Sequence, residues 1–400
     1  MTYKDILCDA NVLYRAYLAS IKSSKWKEST QSFQLSYLRG IFQIRDSLLN
    51  QTLTNGIASE FNLHERGKVR PITSIDVESR IIRHALNDEI LLPKVRQKII
   101  YDNGASLKDR GISFQRKRFE VHLKRYYKLY GNQGWVLFGD FRKFYDNIIH
   151  EIAKQELLEL VGFDPFVKWL LDVMFDAFKI DVSYMSDLEY ERALNGIFDK
   201  LKYRDSVKHL KLSGERYLYK SINIGDQCSQ TLGIYHPNSI DTYVKYVAQQ
   251  KFYGRYCDDW YIANPSKDEL LEVFENIKRI AKERGIHINE KKTRLVKMNK
   301  QLTFLQIKYI VKDNGKIIKR IKSKKVTAFR RKIRKLSVKV KNGEVPYSNI
   351  ENMFKSWMRN FYKLMTRTQR KNLLELFETL FNKEITIINK KMIIKDKSDD

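Results

Sequence analysis

Two adjacent carboxylates, Asp258 and Asp259, interrupt an aromatic-rich stretch that reads Phe-Tyr-Gly-Arg-Tyr-Cys-Asp-Asp-Trp-Tyr-Ile-Ala (residues 252–263). Aromatic residues at this density are typical of β-strands. Successive side chains on a strand point to opposite faces, so neighbouring acids can serve one site only where the chain turns. We therefore expect a β-hairpin with its apex at Asp258–Asp259, which would present both carboxylates near one point.

A third acid, Asp140, follows the short apolar run Trp-Val-Leu-Phe-Gly (135–139), which is typical of a buried strand. A side chain at the end of such a strand emerges from the core into a cleft. Carboxylates that converge from separate strands bind hard divalent cations. Two such ions about 3.5–4 Å apart can activate an attacking hydroxyl and stabilise a leaving pyrophosphate. For the Asp-Asp pair taken alone, a solvated turn remains the competing interpretation.

The balance of charge favours a polyanionic partner. The 400 residues contain 75 Lys+Arg against 47 Asp+Glu, a formal net charge of +28. Nucleic acid is the favoured partner, and an anionic membrane surface is the alternative. The 43% of hydrophobic residues is enough for a sizeable core, and the length allows two or three structural units.

Cysteine usage and the N-terminus indicate a cytoplasmic, soluble protein. Cys8, Cys228 and Cys257 form no Cys-x-x-Cys pair, so neither a disulfide framework nor a cysteine zinc site is expected. The first residues show no basic leader ahead of a long apolar run, and no window approaches the roughly 20 apolar residues of a membrane span. We expect no membrane partner.

Periodicity and turn signals predict the main elements. Residues 291–341 hold twenty Lys/Arg and one acid, Asp313, so we expect a basic helical region beyond a division near residue 320. The predicted helices lie in 1–55, 76–100 (with Asp76 as N-cap), 148–161, 230–250 (with a break at Pro237) and 268–285 (ending at Gly285), and the predicted strands lie at 135–141, in the 252–263 hairpin and in two strands over 301–321 joined at Asp-Asn-Gly.

Five short motifs occur in a fixed order, and together they resemble the reverse transcriptases over roughly residues 60–310. They read Lys-Val-Arg-Pro-Ile (68–72), Phe-Gly-Asp-Phe-Arg-Lys-Phe-Tyr-Asp (138–146), Ile-Gly-Asp-Gln-Cys-Ser-Gln (224–230), Tyr-Cys-Asp-Asp (256–259) and Glu-Lys-Lys-Thr-Arg (290–294). The resemblance implies an α+β right-hand polymerase fold with an antiparallel palm sheet. It places the N-terminal helical region and fingers in 1–135, the palm in 136–320 with 184–214 as a fingers or insert segment, and a basic helical thumb with the tail in 321–400.

The same resemblance assigns roles to particular residues. It implies two Mg²⁺ ions, with Mn²⁺ as a substitute, held by Asp140, the carbonyl of Phe141 and Asp258, while Asp259 completes the catalytic acids. Tyr145 matches an aromatic gate against a ribose 2′-hydroxyl, with ordinary packing as its alternative. The other implied positions are Lys68, Arg70, Gly225, Gln230 and Lys292 around the nucleotide, and Tyr256, Phe304 and Leu305 at the primer and template.

Two departures from the family pattern are visible. Gln230 stands where many relatives have Pro, and Gln306 stands where many have Gly in the primer-grip hairpin. The resemblance places that hairpin over Thr-Phe-Leu-Gln-Ile (303–307).

The segment Asn-Gly-Ala-Ser-Leu-Lys-Asp-Arg-Gly (103–111) and the Ile-Gly-x-x-x-Ser-Gln form resemble stand-alone, defence-associated bacterial enzymes. That resemblance implies cDNA synthesis from a dedicated noncoding RNA in antiphage defence. The expected partners are an RNA template, primer, cDNA product and dNTPs, with an accessory protein or a second copy of the chain. The alternatives are an enzyme of a diversity-generating retroelement and a non-catalytic RNA-binding scaffold.

Overall fold

The chain divides into two compact units in the computed structural model, which describes residues 1–56, 59–65, 67–388 and 391–397. The first unit comprises Met1–His122 and Leu137–Leu295, and the second comprises Leu123–Val136 and Val296–Asp400. Helix α7 (Ile112–Tyr130) and strands β3 (Trp135–Asp140) and β8 (Arg294–Lys297) run across the division.

Helices dominate the first unit. Its described α-helices besides α7 are α1 (Tyr3–Leu7), α2 (Ala10–Ile21), α3 (Glu28–Leu35), α4 (Tyr37–Leu49), α5 (Val77–Leu86), α6 (Leu92–Lys98), α8 (His150–Leu160), α9 (Pro165–Asp176), α10 (Asp187–Asn195), α11 (Lys200–Val207), α12 (Gln227–Tyr235), α13 (Asn238–Thr242) and α14 (Lys267–Glu283). Its described strands besides β3 and β8 are β1 (Ser59–Glu65), β2 (Lys68–Ser74), β4 (Ile180–Asp181), β5 (Tyr217–Leu218), β6 (Phe252–Tyr256) and β7 (Asp259–Asn264).

The segment predicted to be helical over 76–100 is helical, but it is not one continuous α-helix. Asp76 caps α5 as expected, because its Oδ1 accepts a hydrogen bond from the backbone of Ser79 at 2.8 Å. A π-helical turn, Asn87–Leu91, then leads into α6, whose first turn contains Pro93. Proline is tolerated there because the first helical turn needs no amide donor at that position.

A four-stranded sheet in the order β6-β7-β3-β8 carries the acids found in the sequence. Strands β6 and β7 form the predicted antiparallel hairpin, and Tyr256 pairs with Asp259. The predicted apex is wrong by one residue: Cys257 and Asp258 form the two-residue turn, and Asp259 begins β7. Cys257 has a φ of 52°, as such tight turns require.

Close packing of this sheet depends on one glycine. A Cβ at Gly139 would lie 2.0 Å from the ring of Trp260, which is 1% exposed. Because real Cβ contacts never approach this closely, glycine lets β3 lie against the indole one residue before Asp140.

Residues 184–214 form their own small layer. Helices α10 and α11 and the short β4–β5 pair surround a core of Val182, Ala193, Phe198 and Leu218. The sequence predicted only that this segment is a fingers element or an insert, and that assignment stays a prediction.

The second unit is built around helices α15 (Ser323–Lys341), α16 (Tyr347–Phe361) and α17 (Arg367–Phe381). Phe329, Phe354 and Phe377 stack at its centre, with ring centroids 6.2 Å and 4.0 Å apart. Its remaining strands are β9 (Leu302–Phe304), β10 (Ile307–Val311), β11 (Ile317–Ile321), β12 (Lys383–Ile388) and β13 (Lys391–Asp396).

The segment 301–321 contains three strands and not the two predicted. The Asp-Asn-Gly turn joins β10 to β11, as expected, but a second turn at Leu305–Gln306 joins β9 to β10. Both turn residues have positive φ, 44° and 69°. Gln306 therefore adopts the conformation that glycine favours, and the hairpin forms without the glycine found in many relatives.

The mixture of helices and strands agrees with the predicted α+β class. The predicted boundaries of fingers, palm and thumb stay a prediction, since the two compact units are a different kind of division. Within the described ranges, no helix is both long and apolar enough to cross a membrane.

Candidate active site

The three predicted acids lie at one end of the four-stranded sheet. Asp140 is the last residue of β3, and the next backbone amide, that of Phe141, donates a hydrogen bond to the carbonyl of Asp258 at 3.3 Å. This bond ties the turn of the β6–β7 hairpin to the end of the neighbouring strand. Asp259 follows directly, so residues more than a hundred positions apart meet here.

The carboxylates are close enough to perturb one another. Burial, and then the negative charges of Asp258 and Asp140, raise the pKa of Asp259 to about 7. Burial and the charge of Asp140 also raise the pKa of Asp258. Partly buried acids that repel in this way are typical of functional sites, and a bound cation would relieve the repulsion.

The ammonium group of Lys292 pairs with the carboxylate of Asp140. Lys292 Nζ donates to both carboxylate oxygens of Asp140 at 2.9 Å, and the side-chain amide of Asn289 donates to Oδ1 at 2.9 Å. The backbone amide of Asn289 also donates to the carbonyl of Asp140 at 2.8 Å. Lys292 was predicted to lie near the nucleotide, and in this structure it pairs with the acid.

The donor chemistry fits a hard divalent cation, because three charge-coupled carboxylates converge. Across residues 1–56, 59–65, 67–388 and 391–397, however, no set of three or more His, Cys, Asp or Glu side chains is arranged to hold a metal ion. The pairing of Asp140 with Lys292 is consistent with that finding. The ligand roles of Asp140, Phe141 and Asp258 therefore stay predictions.

A buried ion pair supports the acid-bearing turn from behind. The guanidinium of Arg255 donates to both oxygens of Asp241, at 2.8 and 2.6 Å, and both residues are 0% exposed. Its Nη1 donates to the carbonyl of Cys257 at 3.0 Å. The backbone amide of Arg255 donates to the carbonyl of Asp102 at 3.1 Å, and the backbone carbonyl of Arg255 accepts from the amide of Gly104 at 3.2 Å. Arg255 thus fixes the backbone immediately before Asp258.

Tyr145 lies near this turn. Burial raises its pKa far above the usual range, and the nearby charges of Asp258 and Arg70 also act on it. The ring packs against α12, where a Cβ at Gly233 would lie 2.4 Å from the phenol oxygen. Gly233 thereby provides the space in which the ring of Tyr145 sits. The role of Tyr145 as a gate stays a prediction.

Two basic residues of the β1–β2 hairpin, Lys68 and Arg70, influence the pKa values of these side chains. Burial and the neighbouring carboxylates raise the pKa values of Asp258 and Asp259, and the charge of Lys68 offsets part of that rise. Arg70 acts in the same sense on Tyr145. Both predicted nucleotide residues are thus within electrostatic range of the acids or of Tyr145.

The remaining predicted positions are distributed over both units. Gly225, with a φ of 102°, precedes α12, and Gln230 is half-buried on that helix. Tyr256 is half-buried beside the turn, whereas Phe304 and Leu305 are buried in the second unit. Their predicted roles in nucleotide, primer and template binding are untested by these placements.

Sequence reasoning missed Asn289, Asp241 and Gly233. Asn289 lies only three residues before Lys292, so its proximity to the Glu-Lys-Lys-Thr-Arg motif was the available signal. Asp241 and Gly233 lie in a helical run without a recognisable motif, and only the folded contacts reveal them.

Two acids on a hairpin beside a third at a strand end, in a mixed helix-and-strand unit, are typical of a two-metal nucleotidyl-transfer site. A family model described as reverse transcriptase (RNA-dependent DNA polymerase) matches residues 60–309, well over half of the 400 residues. The chain belongs to this family.

It is therefore an RNA-directed DNA polymerase, a nucleotidyltransferase with a polymerase palm-type fold. Enzymes with this domain use an RNA template, a primer and dNTPs, and they generally use divalent metal ions such as Mg²⁺. No curated protein matches the chain.

Proposed function

We propose that this protein copies a dedicated noncoding RNA into cDNA during antiphage defence in the bacterial cytoplasm. The observation that carries the catalytic part is the convergence of Asp140, Asp258 and Asp259, where burial and then the charges of the other two acids raise the pKa of Asp259 to about 7. Support for the defence role is the sequence of residues 103–111, whereas the Ile-Gly-x-x-x-Ser-Gln form is shared with the enzymes of diversity-generating retroelements.

In this proposal Asp140 and Asp258, with the carbonyl of Phe141, would hold two Mg²⁺ ions, and Asp259 would be a supporting acid beside them. When bound, the ions lower the pKa of the primer hydroxyl and neutralise the leaving pyrophosphate. Tyr145 leaves no room for a 2′-hydroxyl on the incoming sugar. Lys68 and Arg70 bind the triphosphate, and a planar guanidinium suits two phosphate oxygens at once.

Lys292 has two roles in succession. In the resting site its ammonium neutralises Asp140 at 2.9 Å. Release from Asp140 frees Nζ to hold its proton near the leaving pyrophosphate, where proton transfer to an oxygen completes the departure.

The test is to purify the full chain from its bacterial host and to sequence the RNA and cDNA that co-purify. We expect one abundant noncoding RNA and cDNA complementary to it, and we expect Asp258→Asn to retain the RNA but lose the cDNA. Adenine-specific mutations in the cDNA would point instead to a diversity-generating retroelement. Equal cDNA from wild type and Asp258→Asn would overturn the catalytic assignment.

A further inference from the structure

A cavity of about 480 Å³ lies between the β1–β2 hairpin, residues 177–181 and helix α11. We call it the α11 cavity. Its lining includes Lys200, Tyr203 and Arg204 of α11, with Glu60 and Thr73 of the hairpin. None of the described residues assigned to the candidate active site lines it. Its volume falls within the range of about 300–1,000 Å³ that is common for small-molecule sites.

A buried ammonium forms part of its wall. Lys200 is 7% exposed, and its Nζ donates to the Thr73 hydroxyl at 3.3 Å. Within the part of the chain that the structure describes, it forms no ion pair with a carboxylate. Burial lowers the pKa of Lys200, and the charges of Glu60 and Asp146 act in the opposite direction. An ammonium held this way has free donor capacity, since it carries three donors.

Arg204 supplies a second unused donor. Its Nε pairs with Glu60 Oε2 at 3.2 Å, and its side chain is 19% exposed. Its Nη1 is buried and has no hydrogen-bond partner among the described residues. A buried charged donor without an acceptor is costly, so an acceptor in the cavity would be favourable.

Two of the three carboxylates that line the cavity, those of Glu60 and Asp181, are already engaged within the protein, and the third, Asp205, is exposed. Glu60 accepts from Thr73 through Oε1 and pairs with Arg204 through Oε2. Asp181 accepts from the backbone amides of Ser183 and Gly214 at 3.0 and 2.9 Å. The donors left over therefore favour an anionic ligand over a cationic one.

Apolar and aromatic residues also line the cavity. Phe178, Ile180, Val207 and Leu212 line it, and the ring of Tyr203 is fixed by a hydrogen bond from its hydroxyl to the carbonyl of Asp181 at 2.6 Å. A flat base can pack on such a wall, while a phosphate accepts hydrogen bonds from lysine and arginine.

We propose that the α11 cavity is a nucleotide-binding site, separate from the three catalytic acids, in which Lys200 and Arg204 bind the phosphate and the apolar wall receives the base. The nucleotide is either free or part of the bound RNA. The proposal goes beyond the proposed function, because the polymerase reaction itself does not require this cavity.

The first experiment is calorimetric titration of the full-length protein with ATP in EDTA, which removes metal-assisted triphosphate binding at the catalytic acids. We expect saturable binding that Lys200→Met and Arg204→Gln each weaken at least 10-fold. Lys202→Met is the matched control, because Lys202 is exposed on the same helix and does not line the cavity. Lys68→Met removes an ammonium that we assign to the catalytic triphosphate site and that does not line the cavity, so its ATP binding in EDTA should equal that of the wild type, which separates the two sites.

The second experiment distinguishes an RNA source. The protein is loaded with RNA containing 4-thiouridine, irradiated and digested, and cross-linked peptides are identified by mass spectrometry. An adduct within residues 198–208 that Arg204→Gln removes and Lys202→Met keeps would assign the site to RNA. ATP binding unaffected by Arg204→Gln, or no ATP binding together with no adduct there, would overturn the proposal. Thermal melting of each variant identifies loss of folding, and the partly exposed Arg204 keeps the test decisive if Lys200→Met unfolds.

Discussion

The ammonium nitrogen of Lys292 lies 2.9 Å from both carboxylate oxygens of Asp140, across 152 positions of sequence. The lysine therefore occupies the side of the carboxylate that a metal ion would use. Lys292 is 58% exposed and Asp140 only 12% at the side chain, so the lysine can swing into solvent more easily than the acid can move. Lys292 therefore competes with a cation for the two carboxylate oxygens of Asp140.

Replacing Lys292 with Met should separate this competition from catalysis. Without the ammonium, Asp140 keeps only the neutral Asn289 side-chain donor, so we expect half-maximal primer extension at a Mg²⁺ concentration several-fold below that of the wild type. The maximal rate should fall about 10-fold or more because the proton donor is lost. A Mg²⁺ titration of primer extension measures both effects, with exposed Lys291→Met as the control. An unchanged Mg²⁺ midpoint would contradict the competition.

The Arg255–Asp241 pair should matter far more for stability than a surface pair. Asp241→Asn leaves a guanidinium uncompensated at a position that is 0% exposed. Such a change typically costs about 3–5 kcal/mol of unfolding free energy. The exposed pair Arg279–Glu283 is the matched control, and Glu283→Gln should cost less than about 1 kcal/mol. Urea unfolding of both variants checks this, and equal losses would show that the buried pair does not stabilise the turn.

The acid-bearing hairpin could be predicted from sequence, but its details could not. Aromatic residues on both sides of Asp258 and Asp259 indicate two strands. The position of the turn depends on which residue accepts a positive φ, and Cys257 is not a residue type that signals this. The same reason explains why periodicity and turn signals gave two strands over 301–321, although the resemblance placed a hairpin over 303–307.

Contacts between distant segments lie beyond local sequence patterns. The motif order identified Asp140 and Lys292 separately, and their pairing arises only when β3 and the segment after α14 meet. The π-helical turn before Pro93 is also set by tertiary packing, because packing decides whether the helix ends or continues at that point. Local propensity predicts helices and strands, while tertiary contacts decide how these elements are connected.

Gly233 should control the position of Tyr145. A methyl group there would lie 2.4 Å from the phenol oxygen and 3.0 Å from Cζ, so Gly233→Ala must displace the ring. We expect kcat/KM for dATP to fall at least 10-fold and the preference for dATP over ATP to change. Steady-state incorporation of the two nucleotides measures this.

A double-mutant cycle tests whether the effect passes through Tyr145. Tyr145→Phe removes the closest contact and leaves the one at 3.0 Å, so it should restore part of the activity lost in Gly233→Ala. Strictly additive losses would exclude the steric coupling. Melting temperatures of all four proteins separate this effect from general destabilisation.

His150 should make the protein sensitive to mild acid. Its Nε2–H donates to the Ser221 carbonyl at 2.6 Å, while Nδ1 is buried without a partner in the described structure, and burial lowers its pKa from 6.5 to about 4. Below pH 6.5 the His150 imidazole is protonated in the unfolded chain but stays neutral in the folded chain. The unfolding free energy therefore falls by about 3 kcal/mol as the pH drops from 6.5 to 4. His150→Gln keeps a donor for Ser221 and should lack that part of the slope, whereas exposed His209→Gln should keep it. Urea unfolding from pH 7 to 4 gives the three slopes, and identical slopes for wild type and His150→Gln would assign the acid sensitivity to other groups.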